Sequence, residues 1–177
     1  MRNFVLVVVM VVSGMSPVWA AEALGPSATF DAGFSPARGA LDVVLKGIRA
    51  AKKQILVAGY VFTSKPISAA LIDARKRGVD VYVVVDSEEN QKRYSAATYL
   101  ANAGVPVRLN ANYPIFHHKF MVLDGEDLQL GSFNYTGRAE KNAENALLLH
   151  GVPALARKYA AEWRRLWDEA RALPRAY

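Results

Sequence analysis

The chain of 177 residues contains no cysteine. That absence excludes disulfides, thiolate metal sites and thiol nucleophiles, so stability has to come from packing. Acidic residues are outnumbered, 16 Asp and Glu against 22 Lys and Arg, for a formal net charge of +6. A basic surface favours polyanions, either nucleic acid or anionic lipid headgroups. Long apolar runs are also scarce. The one uninterrupted aliphatic stretch, Phe4 to Val12, is about half of the roughly 20 residues a spanning helix needs. With Arg2 before it and Val18-Trp19-Ala20 after it, residues 1–20 read as a secretory signal peptide cleaved after Ala20. The expectation is therefore an exported protein, periplasmic or secreted, with no stable membrane anchor once the leader is gone.

What remains, residues 21–177, is one domain's worth of chain, and half of its residues are apolar. Strand-like segments at Ala28–Phe34, Gln54–Val61 and Val79–Val85 alternate with helical patterns at Ala40–Ala51, Pro66–Arg77 and Lys92–Ala103. Pro66 is a good first-turn residue and Gly78 a C-terminal stop. This order predicts an α/β fold with a mixed, largely parallel sheet flanked by helices on both faces. After a short strand at Val107–Leu109 the pattern changes. His117–Leu123 and Leu128–Leu130 read as strands joined by the turn Asp124-Gly125-Glu126-Asp127, with a further strand at Ala143–His150. The last helix is expected over Val152–Ala172, with Leu155, Tyr159, Trp163, Leu166 and Trp167 along one stripe for the core or an interface.

The chemistry concentrates in His117–Asn134, which reads H-x-K-x4-D-x6-G-S-x-N. Residues two apart share a face of an extended strand, so His117 and Lys119 can meet one ligand. An imidazole with an ordinary pKa of about 6.5 beside a cationic amine suits a phosphate ester: one group attacks phosphorus, the other holds its oxygens. His118 shares its face with Phe120 and Val122 and is expected to pack inward or at an interface. Asp124, an odd interval from His117, is expected to point away from phosphate, as loop support or as a plain turn residue ahead of Gly125. A metal site built from His117, His118, Asp124 and Glu144 is the rival reading. Adjacent strand residues cannot converge on one ion without a bulge, and no H-x-x-x-H spacing occurs, so metal-free chemistry without a cofactor is expected.

The window His117–Asn134 resembles the HKD motif and trailing G-S-x-N of the phospholipase D superfamily, and the element order of residues 28–110 resembles the small bacterial endonucleases of that family. The resemblance implies that His117 is the nucleophile of a phosphohistidine intermediate. It implies also that Lys119 and Asn134 bind the non-bridging oxygens, with Ser132 as a further hydrogen-bonding partner and Gly131 as structural support. Glu144 would accept from the other ring nitrogen of His117, as a carboxylate does in a triad. Family members bring two such motifs together, but this chain has one, and His150 has no lysine two residues on. A homodimer sharing its active site across a two-fold axis is thereby implied.

The reaction expected is phosphodiester hydrolysis by a non-specific, metal-independent endonuclease acting on DNA or also RNA. A phospholipase D acting on phosphatidyl lipids is the alternative, and an inactive nucleic-acid-binding module the distant one. Arg138 is a candidate phosphate contact. Tyr113, Phe116, Phe133 and Tyr135 either stack bases or fill the core.

Overall fold

Alternate residues of the strand Gln54–Gly59 enter two different hydrophobic clusters. Ile55 and Val57 pack with one, Leu56 and Ala58 with the other, and all four are buried. A strand that is apolar on both faces must lie inside a sheet covered twice. The computed structural model, which describes residues 21–91 and 95–176, shows that arrangement. The leader assigned to residues 1–20 lies outside the described residues, as do residues 92–94 at the start of the third expected helix.

The elements follow in the order β1 (Thr29–Ser35), α1 (Ala40–Ala50), β2 (Gln54–Gly59), α2 (Lys65–Lys76), β3 (Asp80–Asp86), α3 (Ser87–Asn90) and α4 (Ala96–Asn102). Then come β4 (Val107–Asn110), β5 (Lys119–Leu123), β6 (Asp127–Gly131), β7 (Glu144–His150), α5 (Pro153–Asp168) and β8 (Arg171–Ala172). They build one eight-stranded sheet in the order β1-β7-β6-β5-β2-β3-β4-β8. Helices α1, α2 and α4 bury Val44, Ile48, Ile67, Leu71 and Leu100 on one face, and α5 buries Trp163 and Leu166 on the other. The Trp163 indole donates to the Val57 carbonyl at 2.8 Å, so its polar edge is satisfied inside the core.

The mixed sheet with helices on both faces agrees with the sequence reading, but the expectation of a largely parallel sheet needs correction. Parallel pairing is confined to β2-β3-β4, and every other ladder is antiparallel. Parallel neighbours need a crossover, and of the helical connections only those from β2 to β3 and from β3 to β4 join strands that lie side by side. Strands β5, β6 and β7 are joined by a turn and a loop, which return the chain antiparallel. The last helix also ends earlier than the expected Ala172, at Asp168. Beyond it Arg171 and Ala172 pair with Leu109 and Arg108, taking up the open edge of β4. Among the described residues no helix is long and apolar enough to cross a membrane.

Candidate active site

The strand ends gather the chemistry. Parallel strands β2 and β3 finish at the same rim of the sheet, and the antiparallel neighbours β5 and β7 begin there while β6 ends there. Loop-borne groups at the carboxyl ends of parallel strands are the usual place for a site in such sheets. Here the rim carries Tyr60 after β2, His117 just before β5, Lys119 at the start of β5, Ser132 and Asn134 after β6, and Glu144 opening β7.

His117 is exposed, and its imidazole lies against Tyr60, ring centroids 4.7 Å apart and planes tilted by 51°. Lys119 is half-buried, and its Nζ donates to the His117 carbonyl at 2.7 Å and sits 5.2 Å from the Tyr60 ring centre. Both side chains therefore share one aromatic surface, as the two-residue interval requires. Burial pulls the Lys119 amine below its ordinary value, and the negative charge of Glu144 opposes that pull. Tyr60 was not found from the sequence. It is far from the motif in the chain and arrives there because Gly59 pairs with Lys119 across the β2–β5 ladder.

Gly131 lets β6 pass close to β7. Its φ is 155°, and a β-carbon there would collide with the Asn145 carbonyl. That approach places Ser132 over Asn145: the Ser132 hydroxyl accepts from the Asn145 backbone N–H at 3.0 Å and donates to Glu144 Oε2 at 2.6 Å. Glu144 Oε1 accepts from Asn142 Nδ2 at 3.1 Å. The hydrogen bond expected between Glu144 and His117 is thus not among those made. Ser132 Oγ already accepts from Asn145, so its one hydroxyl hydrogen is free to donate, and Glu144 accepts it. The Asn134 side chain is half-buried, with Oδ1 buried and unpartnered among the described residues. An orphaned buried acceptor is costly unless something at the site satisfies it. Arg138 is exposed in the loop between Asn134 and Glu144, and its side chain makes no hydrogen bond or ion pair with the described residues.

Asp124 lies at the opposite end of β5 from the site. Its carboxylate accepts from the backbone N–H of Lys52, Lys53 and Gln54, at 2.9, 2.7 and 2.9 Å, where the chain leaves α1 for β2. Burial raises its pKa, but these donors together with the Lys53 charge outweigh it and hold the carboxyl below its ordinary value. His150, at that same end, is clamped between Asp31 and Asp127, with Nε2 2.8 Å from one and Nδ1 3.0 Å from the other.

His118 does not pack inward, the first of the two places expected for it. It is exposed, and its ring stands edge-on to Phe116 and Phe120, each 5.4 Å away, because β5 regularises only at Lys119. The partial cover those rings give the imidazole lowers its pKa, with Glu162 opposing. Three of the four aromatics near the motif, Phe116, Phe133 and Tyr135, are core residues, which leaves Tyr113, and its hydroxyl is 2.7 Å from Glu169 Oε1. Among the described residues no group of three or more histidine and acidic side chains is placed to hold a metal ion.

Residues 44–167 match a family model described as "Cardiolipin synthase, PLD-like domain". The chain is 32% identical over 131 residues to phospholipase D of Rickettsia bellii, covering 73% of this chain and 65% of that one. It is 30% identical over 119 residues to the mitochondrial cardiolipin hydrolase of Xenopus laevis, covering 67% and 57%. The match thus spans under two thirds of the length of these curated relatives. Among solved structures, the phospholipase D family member Nuc from Salmonella typhimurium superposes with a TM-score of 0.81 at 39% identity, over 83% of this chain and 99% of that one. NucT from Helicobacter pylori shares the fold, with a TM-score of 0.72 at 24% identity. With the family model covering most of its length, and with His117 and Lys119 side by side at the strand ends, the chain belongs to the phospholipase D superfamily.

Proposed function

We propose that this protein is a phosphodiesterase that works through a covalent phosphohistidine on His117 and that its substrate is nucleic acid. The observation that carries the reading is the pairing of an exposed imidazole, its ring nitrogens unengaged by the described residues, with the Lys119 amine at the open strand rim. In the first step a His117 nitrogen attacks phosphorus, a P–N bond forms and the P–O ester bond breaks. Lys119 and the Asn134 amide meet the charge that develops on the non-bridging oxygens. In the second step water attacks the phosphohistidine and restores free imidazole. Glu144 and Ser132 brace the Asn134 side of the site, and Arg138 reaches a neighbouring phosphate.

The leaving oxygen needs a proton, and the attacking water must lose one. A single H-x-K motif supplies one histidine, so the proposal includes a homodimer in which His117 of a second copy does both. Ile115, two residues before His117, is 55% exposed and gives the rim an apolar contact point. Export by a leader over residues 1–20 also belongs to the proposal, and mass spectrometry of the protein recovered outside the cytoplasm should find Ala21 as its first residue.

Nucleic acid is favoured by the positive charge of the chain and by the match to nearly the whole of Nuc, while the lipid-named relatives are matched over part of their length. The names of those relatives, a phospholipase D and a cardiolipin hydrolase, keep phosphatidyl lipids as the second reading. The test is incubation with plasmid DNA in excess chelator beside phosphatidylcholine and cardiolipin vesicles. Nicking that is lost in His117→Ala, with headgroups retained on the vesicles, supports the nuclease. Headgroup release with intact plasmid supports the phospholipase D reading, and activity unchanged in His117→Ala removes both.

A further inference from the structure

The ring that His117 and Lys119 share is held from behind. Asn90, fully buried in α3, donates through Nδ2 to the Tyr60 carbonyl and accepts through Oδ1 from the Phe62 N–H at 3.0 Å, which fixes the backbone on both sides of Tyr60. The Tyr60 hydroxyl makes a long contact, 3.4 Å, with Glu89 Oε1. On the other side the ring meets the His117 imidazole at 4.7 Å and the Lys119 ammonium at 5.2 Å. Since the His117 ring makes no hydrogen bond with the described residues, this aromatic surface is what its side chain rests on.

We propose that Tyr60 is a positioning residue, whose ring selects the His117 rotamer aimed at phosphorus and seats the Lys119 ammonium beside it. The inference rests on the reading of His117 as nucleophile. An exposed imidazole on a strand end has several staggered rotamers open to it, and only one presents its nitrogen in line with the leaving oxygen. Removing the ring frees that choice and loosens the cation seated on its face. Substrate is still drawn in by the remaining charges, so the loss falls on the chemical step rather than on binding.

The experiment uses the full chain and bis-p-nitrophenyl phosphate, whose first p-nitrophenolate reports formation of the phosphohistidine. In Tyr60→Leu the single-turnover burst rate should fall about 10- to 100-fold while KM moves by no more than about threefold and Tm by a few degrees. Tyr60→Phe, which keeps the ring and loses only the long Glu89 contact, should remain within about threefold of the parent. A burst rate in Tyr60→Leu within about twofold of the parent overturns the proposal, as does a loss confined to KM or an equal loss in Tyr60→Phe. Should Tyr60→Leu not fold, Tyr60→Met is read by the same criteria. His117→Ala runs beside them: if it keeps the burst, the nucleophile reading fails, whereas an inactive His117→Ala with a fully active Tyr60→Leu removes the role of Tyr60 alone.

Discussion

Replacing Asp124 should cost stability without touching chemistry, and three substitutions separate the reasons. The Gln54 N–H that it accepts is half-buried, while the Lys52 and Lys53 N–H groups are exposed and can turn to water. Losing the carboxylate should therefore cost about 1.5 kcal/mol at Gln54 and less at the other two. Asp124 also sits at φ 55°, a conformation that aspartate and asparagine tolerate and alanine does not, at about 1 kcal/mol. Asp124→Ala should then lose about 3 kcal/mol in all, or roughly 6–12 °C in Tm for a chain of this size. Asp124→Gly removes the backbone strain and keeps the loss of acceptors, for about 2 kcal/mol. Asp124→Asn retains one oxygen acceptor and the φ tolerance and should lose about 1 kcal/mol.

The assay is urea unfolding across pH, with kcat measured on the folded fraction. The folded-state pKa of Asp124 is depressed, so its contribution is present above the unfolded value of about 3.9 and is lost as pH falls through the lower folded value. Parent and Asp124→Ala should differ fully at pH 7, and the gap should narrow as pH falls below about 4, toward the roughly 1 kcal/mol of backbone strain that does not titrate. Equal unfolding midpoints at pH 7 would refute this reasoning. So would a fall in kcat with stability unchanged, because it would place Asp124 in the reaction.

Other consequences follow from the same geometry. The His150 clamp has the opposite sign: hydrogen bonding to Asp31, then to Asp127, against the opposing effect of burial, raises the imidazole pKa. Its stabilisation is full below the unfolded value of about 6.5 and is lost as pH rises through the higher folded value, so His150→Asn should cost about 1 kcal/mol at pH 6 and little at pH 9. Thermal melts of both proteins at the two pH values check it. Gly131→Ala, forced against the Asn145 carbonyl, should cost about 2–4 kcal/mol and abolish turnover by displacing Ser132 and Asn134, read by melting and by phosphodiester hydrolysis. Arg138→Ala should weaken DNA binding similarly for every sequence and reduce the salt slope of log Kd by about 1, measured by fluorescence anisotropy across ionic strengths.

The window His117–Asn134 was legible because a strand has period two and spacing alone sorts its faces. The same rule put Asp124 away from the site, where it indeed binds the backbone at the start of β2. The helices α1 and α5 were legible from their apolar stripes, α2 from Pro66 and Gly78 at its ends, and the mixed sheet from the change of pattern after β4. Strand direction was not, because Val and Ile runs such as β3 mark burial on both faces and say nothing of which neighbour arrives from which end. Tyr60 and Asn145 escaped for a related reason. Their places at the rim come from the β2–β5 and β6–β7 ladders, and nothing in their local sequence carries that information. The end of α5 was hidden because Arg171 and Ala172 satisfy the edge of β4, a tertiary demand that overrides helical continuation.

The proposed reaction places the substrate phosphorus on His117 during turnover. Acid-sensitive and base-stable phosphoryl groups distinguish phosphohistidine from phosphoserine and phosphotyrosine, so the direct measurement is rapid base quench with a phosphodiester substrate followed by peptide mass mapping. The adduct expected on the peptide that contains His117 has the mass of the phosphoryl group with its one unbroken ester, is transient in the parent protein and is absent from His117→Ala. Turnover with no adduct at any quench time, or an adduct carried by His118 or His150 instead, would contradict it.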